Sequence, residues 1–450
     1  MRGLPAVHRF LSHPQVTGFE ALLGRVAVKR AIHDVLSVAR SKPATRAASF
    51  ETLLAAIAQK LSQAQAETLV PVINGTGVLL HTNLGRAPLS QAALTAMQHI
   101  GRGYSNLEYD LMGGVRGSRY LRVSTLIGDV TGAQDALVVN NCAAAVLLIL
   151  DTFARGREAV VARNQLVEIG GGFRLPDVIK RSGVHLVEVG TTNKVYLSDY
   201  QNALSARTSL LLRTHQSNYR MQGFVADVCA AELVALGKRA AIPTVEDLGT
   251  GALVDLTPYG LPHERTVQEA IADGIDLVAF SGDKLLGGPQ TGIIVGKRTY
   301  IARLRSNPLL RALRVDKSTL AALAATLQHY ATPSAVAQIP LYRMLAATLE
   351  ELEARAHGYK DALDGDGRSL TVAPTVAYTG GGTLPLVEIP SRGLVLDFTG
   401  ASPVELARRL RALPTPVIVR LHEGRCILDL RSVEPSLDEH LKQMLPTCYN

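Results

Sequence analysis

Ser281-Gly-Asp-Lys284-Leu-Leu-Gly-Gly-Pro-Gln-Thr-Gly292 follows an apolar run, Ile275-Asp-Leu-Val-Ala-Phe280, that reads as a strand. The stretch sets one lysine at a strand end, between small residues and ahead of a glycine pair. A flexible cation with space around it suits Schiff-base chemistry. An imine-forming lysine needs a lowered pKa and the close approach of a flat carbonyl compound. Glycine permits that approach because it has no Cβ. An exposed loop lysine is the plain alternative, and residues upstream weigh against it.

Thr244-Val-Glu-Asp247-Leu-Gly-Thr-Gly251 is a second strand end running into small residues. An acid there can face a pyridinium nitrogen, and pyridoxal phosphate needs such a carboxylate, because a protonated ring nitrogen makes the ring an electron sink. Asp247 precedes Lys284 by 37 residues, room for one helix and one strand. Capping a turn is the alternative for Asp247; Glu246 reads as structural. A third segment, Ala136-Leu-Val-Val-Asn140-Asn141-Cys142-Ala143 and the apolar residues after it, reads as strand, polar turn and helix. Free N–H groups at a helix start attract phosphate, and Ser281 can add a hydroxyl. Together the segments fit one cofactor, pyridoxal phosphate: phosphate on 140–143, ring nitrogen on Asp247, aldehyde on Lys284. Ser281-x-x-Lys284 also matches a serine-nucleophile signature, but no Ser-Asp-Asn or Lys-Thr-Gly follows it and no export signal is read.

Further stretches carry a family resemblance: Ile73-Asn-Gly-Thr-Gly-Val-Leu-Leu-His81-Thr-Asn-Leu-Gly-Arg86-Ala-Pro-Leu, Tyr104-Ser-Asn-Leu-Glu-Tyr-Asp-Leu, Arg116-Gly-Ser-Arg119, Val167-Glu168-Ile-Gly-Gly-Gly-Phe-Arg-Leu-Pro-Asp and Thr214-His215-Gln-Ser217-Asn218-Tyr-Arg-Met-Gln-Gly-Phe. With the Lys284 stretch, they make nearly the whole chain resemble bacterial selenocysteine synthases, the L-seryl-tRNA(Sec) selenium transferases. The resemblance implies a fold-type-I pyridoxal-phosphate-dependent transferase with Lys284 as the imine-forming lysine and Asp247 on the ring nitrogen. It implies cofactor contacts at Asn141, Cys142, Ala143, Ser217 and Ser281. It also assigns Arg86, Arg311 and Arg314 to the anionic selenium donor. Arginine is always charged and can grip phosphate oxygens through two parallel hydrogen bonds. Arg311 and Arg314, three apart, are expected on one helix face. The family's turn is usually Asn-Asn-Asn-Ala, whereas this chain has Cys142 at the third position. A backbone N–H there serves phosphate whatever the side chain. His81, His215 and Glu168 lie in matched motifs without an assigned role.

A chain of 450 residues with 47% hydrophobic content can bury a large core and form more than one domain. No membrane span or cleavable signal is read. Four scattered cysteines, at 142, 229, 426 and 448, fit a reducing cytoplasm and give neither a disulfide framework nor a metal site. The net charge is +8, and residues 1–65 hold nine Lys/Arg against three Asp/Glu. A basic terminal module suggests a polyanion partner. Phe10, Phe19 and Phe50 read as isolated, so RNA recognition there is expected to rest on shape and phosphates. Arg25, Lys29 and Arg30 are candidates by charge and position.

The expected organisation is α/β: a basic helical domain over 1–65, a large cofactor domain with a mainly parallel central sheet over 66–305, and a small α+β C-terminal domain over 306–450. Ala66 to Pro71 marks the first boundary. Thr17-Gly-Phe-Glu20 resembles a capping box; Leu53, Leu54, Ile57 and Leu61 form a helical stripe; residues 19–39 give no single stripe. Strands are expected at 136–139, 159–162, 185–189, 210–213, 243–246, 277–280 and 291–295, with functional residues after strand ends. Pro416–Leu421 and Cys426–Leu430 read as a hairpin, and Ser402 as a helix cap.

The resemblance implies that seryl-tRNA(Sec) loses its serine hydroxyl and takes selenium from selenophosphate to give selenocysteinyl-tRNA(Sec). It also implies self-association, at least a dimer and in full a pentamer of dimers, with neither membrane nor DNA as partner. The alternative keeps the cofactor without the tRNA: a lyase acting on a small amino acid or sugar acid. Residues 1–65 tip the balance toward tRNA.

Overall fold

The computed structural model describes residues 4–41, 48–65, 69–365, 368–398 and 400–449. Arg2, Lys42 and Arg46 of the basic segment, and residues 66–68 of the expected boundary, lie outside them. The chain divides into two compact units, Met1–Pro71 and Val72–Asn450.

The first unit is helical: Val7–Leu11, Pro14–Leu23, Arg25–Ser41 and Phe50–Gln65. The second helix starts at Pro14, where a fixed φ suits the first turn and no N–H is lost. His13 caps it, accepting the Gln15 N–H at 3.3 Å. The expected capping box at Thr17 is therefore wrong: Thr17 lies inside the helix and its hydroxyl donates to the Pro14 carbonyl. Gly24, at φ 78°, ends this helix and resets the helical phase, which is why 19–39 read as one segment shows no stripe. From Arg25 onward Val28, Ala31, Ile32, Leu36 and Ala39 are buried on one face. Leu53, Leu54, Ile57 and Leu61 are buried against them. Phe10 and Phe50 are not isolated; their rings stack with centroids 4.7 Å apart. Arg25, Lys29 and Arg30 are exposed.

Among its described residues the second unit holds a seven-stranded and a five-stranded sheet. The strands of the larger sheet are β1 (Asp135–Val139), β2 (Glu158–Ala162), β3 (His185–Val189), β4 (Thr208–Thr214), β5 (Thr244–Gly249), β6 (Leu277–Ser281) and β7 (Gly292–Gly296). Their order is β1-β7-β6-β5-β4-β2-β3. β3, β2, β4, β5 and β6 run parallel, and β7 is antiparallel to both its neighbours. Alternate residues of a strand face opposite sides of a sheet. Accordingly Ala159, Val161, Leu210 and Leu212 join the core that contains helix Cys142–Ala154. Val160, Ala162 and Leu211 join Tyr200, Leu233 and Leu236 in another. Strands buried on both faces are apolar throughout, as parallel sheets require.

The five-stranded sheet runs Ile73–Gly75, Val417–His422, Arg425–Asp429, Ile389–Phe398, Arg368–Ala377. The expected hairpin pairs Leu421 with Cys426 and His422 with Arg425. Glu423 and Gly424 both sit at positive φ, the geometry of a two-residue type I′ turn. Ser402 caps helix Pro403–Arg411 by accepting the Glu405 N–H. Ile73–Gly75 pairs parallel with Val417–Val419, so a segment that precedes the large sheet in sequence completes the C-terminal one.

Candidate active site

The parallel strands end on one cleft of about 280 Å³, lined by Arg86, Asn141, Cys142, Ala143, Ser217, Asp247, Ser281 and Lys284 among others. That size lies just below the usual range for ligand clefts, about 300–1,000 Å³. Lys284 is buried, in the loop after β6. Its loop is held from two sides. The Leu285 N–H donates to the Thr250 carbonyl at 3.0 Å, tying it to the loop after β5. The Tyr342 hydroxyl donates to the Leu285 carbonyl at 2.8 Å, and the Tyr330 hydroxyl to that of Leu286 at 2.7 Å. Burial pushes both phenols up, so both stay donors.

Asp247 lies near the end of β5, where the register against β6 shifts between Asp247 and Gly249. Burial raises its pKa, opposed by a hydrogen bond from Cys142 and by the charge of Lys284. A buried carboxylate with one thiol donor and a nearby ammonium is suited to a cationic ring N–H. Glu246 points into a different environment. It is fully buried and ion-paired to Arg213 and to Arg265, the latter at 3.1 Å, which is a structural role.

The turn after β1 presents the start of helix Cys142–Ala154. Asn141 is its cap and its side chain accepts the Ala144 N–H at 2.8 Å. The amides of Cys142 and Ala143, at the first two helical positions, have no acceptor within the helix, which is where an anion is best received. β7 passes close beneath this turn. A Cβ on Gly292 would lie 2.0 Å from the Asn141 carbonyl oxygen, so only glycine allows the approach. The Cys142 thiol faces Asp247 Oδ1 at 3.4 Å. Burial and the Asp247 carboxylate hold it well above the usual thiol range.

Arg86 reaches the cleft from a turn after Ile73–Gly75. Its backbone is left-handed, φ 64°, which costs a non-glycine residue roughly 1–2 kcal/mol. Its N–H donates to the His81 carbonyl and its Nη1 to Asp283 Oδ2 at 2.7 Å. Asp283, Thr214, His215 and Gln290 also line the cleft. Of these the sequence reading left His215 without a role and missed the others. Asp283 had a signal in its place beside Lys284, but its partner is 197 residues away. His81 and Glu168 are not among the lining residues; Glu168 is ion-paired with Arg174.

Arg311 and Arg314 line a separate cavity of about 380 Å³ with Glu108, Arg116, Arg119 and Arg305. They do not share a helix face as expected. The helix there, Leu310–Leu313, is four residues long and Arg314 is already extended, with ψ 146°. Its backbone bridges to Val139 at the end of β1, and that pairing ends the helix. Arg314 Nη1 lies 3.8 Å from Glu108 Oε1.

Residues 72–434 match the family model for L-seryl-tRNA selenium transferase, and residues 1–40 match that for the selenocysteine synthase N terminal region. An L-seryl-tRNA(Sec) selenium transferase from Geobacter metallireducens is 47% identical over 444 residues, 96% of this chain and 95% of the relative. One from Moorella thermoacetica is 46% identical over 451 residues, 99% of this chain and 96% of the relative. Among solved structures, a D-glucosaminate-6-phosphate ammonia-lyase superposes with a TM-score of 0.59 at 19% identity, covering 85% of this chain and 96% of that one, a likeness of fold. The architecture is that of fold-type-I enzymes, and the chain belongs to the L-seryl-tRNA selenium transferase family.

Proposed function

We propose that this protein converts L-seryl-tRNA(Sec) to L-selenocysteinyl-tRNA(Sec), with pyridoxal phosphate as cofactor and selenophosphate as selenium donor. The observation that carries the reading is the convergence of Lys284, Asp247 and the free amides of Cys142 and Ala143 on one cleft, in a chain about 47% identical to named transferases over nearly its full length. The donor set fits the cofactor: a buried amine for its aldehyde, a buried carboxylate for its ring nitrogen and a helix start for its phosphate. Ser281 and Ser217 add hydroxyls at the margin of the cleft. When bound, pyridoxal phosphate supplies an electron sink for the negative charge left when the serine α-proton departs.

The rest falls to the chain's own side chains. Asp247 holds the ring nitrogen protonated. Lys284, buried in the cleft, would hold the cofactor's aldehyde carbon and, once freed from it, would serve as the base that moves the serine α-proton. The β-hydroxyl leaves as water; selenium from selenophosphate bonds to the β-carbon, and water cleaves its Se–P bond to release inorganic phosphate. Arg86 provides a fixed charge for the anionic donor. Arg311 and Arg314, in the separate arginine-lined cavity, are assigned to the same donor by the family resemblance.

The helical unit within residues 1–65 binds the tRNA; its basic excess and its own family match support this over the small-molecule lyase. The protein self-associates, as a dimer at least and in full as a homodecamer. The exposure of Tyr104, Leu111, Met112 and Leu121 supports an interface around hairpin Tyr109–Asp110/Val115–Arg116. Among the described residues no helix is long and apolar enough to cross a membrane; together with four free cysteines this supports a cytoplasmic setting.

The test mixes the purified protein with seryl-tRNA(Sec) or seryl-tRNA(Ser) and follows cofactor absorbance and loss of serine. A response to the first tRNA alone supports the reading. Cofactor absorbance that ignores both tRNAs turns it to a small-molecule lyase. Lys284→Ala is expected to form no selenocysteinyl-tRNA.

A further inference from the structure

We infer that Glu264 is a positioning residue for the cleft: it holds His215 by Nδ1, so that Nε2 is presented to the cofactor. This rests on the reading that the cleft takes pyridoxal phosphate. β4 ends at Thr214, which is in register with Asp247, and the next N–H, that of His215, donates to the Asp247 carbonyl at 2.9 Å. The backbone of His215 is thereby fixed beside the carboxylate that meets the ring nitrogen. Its imidazole lines both the Lys284 cleft and an adjoining cavity of about 290 Å³. On the far side Glu264 Oε1 lies 3.6 Å from Nδ1. Glu264 is only 5% exposed, and its Oε1 and His215 Nδ1 are each buried without a hydrogen bond.

Two orphaned buried polar atoms facing one another are costly unless they meet. Pairing them requires the ring and the carboxylate to approach by a few tenths of an ångström from 3.6 Å. A proton on Nδ1, donated to Glu264, leaves Nε2 as the acceptor of the neutral ring. Other charged groups around the imidazole are Lys284 and Asp247 on the cleft side and Arg213, Arg220, Asp227 and His263 on the other.

Equilibrium dialysis of the apoprotein with pyridoxal phosphate tests the assignment. Glu264→Gln, which keeps an acceptor oxygen but loses the charge, is expected to weaken binding about three- to tenfold, the scale by which a hydrogen bond to a charged group exceeds a neutral one, and His215→Ala at least as much. The double variant is expected to bind no more weakly than His215→Ala alone, since the carboxylate acts only through the ring. Glu264→Asp, which keeps the charge but lengthens the contact, is expected to fall between wild type and Glu264→Gln, and it serves in place of Glu264→Gln should that variant not fold. Wild-type affinity in the Glu264 variants, or additive losses in the double variant, overturns the inference. Failure of the wild-type protein itself to bind the cofactor overturns the cofactor reading instead.

Discussion

Cys142 Sγ and Asp247 Oδ1 lie 3.4 Å apart, joining the first residue of helix Cys142–Ala154 to the carboxylate near the end of β5. In the proposed binding mode the thiol would serve the ring-nitrogen end of the site and the Cys142 backbone N–H the phosphate end. Cys142→Ala removes one donor from a buried carboxylate and is expected to weaken cofactor binding by about 1 kcal/mol, or roughly fivefold. Cys142→Ser keeps a donor and is expected to stay near wild type. Equilibrium dialysis distinguishes them; equal losses in both would remove the thiol from the account.

Asp247 is held above the usual carboxylate range by burial. A raised folded-state pKa stabilises the apoprotein below the unfolded value, and that contribution is lost as pH rises through the folded value. Each unit of elevation is worth about 1.4 kcal/mol. Asp247→Asn carries no such term. Its melting temperature relative to wild-type apoprotein is therefore expected to climb from the ordinary carboxylate pKa to the raised one and then level off, while serine loss is abolished. A difference that stays flat with pH would contradict the raised pKa.

Arg86 and Asp283 share one contact across the mouth of the cleft. Arg86→Ala leaves a buried carboxylate unpaired and is expected to cost about 1–3 kcal/mol of stability. Selenium incorporation is expected to fall about 10- to 100-fold, the value of a hydrogen bond to a charged group, while hydroxyl loss from the serine falls less. Arg86→Lys restores charge but not the planar fork. Separate assays of serine loss and selenocysteine formation give the two numbers; equal losses in both would argue against a donor-binding role.

The Tyr342 hydroxyl caps the Leu285 carbonyl beside Lys284. Tyr342→Phe leaves that acceptor with only the long 3.5 Å contact from the Tyr330 hydroxyl and is expected to cost about 1 kcal/mol in unfolding free energy. It is also expected to slow cofactor incorporation, because the lysine loop loses one support. Denaturant unfolding and the rate of absorbance change on adding cofactor measure both effects.

Lys29 and Arg30 are exposed on helix Arg25–Ser41. Replacing both with alanine is expected to weaken tRNA binding and to lower the slope of log affinity against log salt by up to about two, near one per lost phosphate contact. Filter binding over a salt series reads the slope; an unchanged slope would place the RNA elsewhere.

The strands of the large sheet, the three strand-end segments and the cofactor they fit were legible in the residues alone, whereas the ten-residue strands Arg368–Ala377 and Ile389–Phe398 were not. The legible signals are local: an apolar run, small residues after it, and a lysine, an acid or a helix start at its end. The Leu53–Leu61 stripe was legible as well, because a helical period is written within one segment. The packed fold was needed to show how Tyr330 and Tyr342 hold the lysine loop, how Asp283 meets Arg86, and how Ile73–Gly75 completes the C-terminal sheet. These are contacts between residues tens to hundreds of positions apart, with no local signature. The same reason accounts for the two misread helices. Pro14 starts one turn before the Thr17 motif, and strand pairing at Val139 stops the helix before Arg314. In each case a neighbouring constraint outweighed a short pattern that was readable but weak.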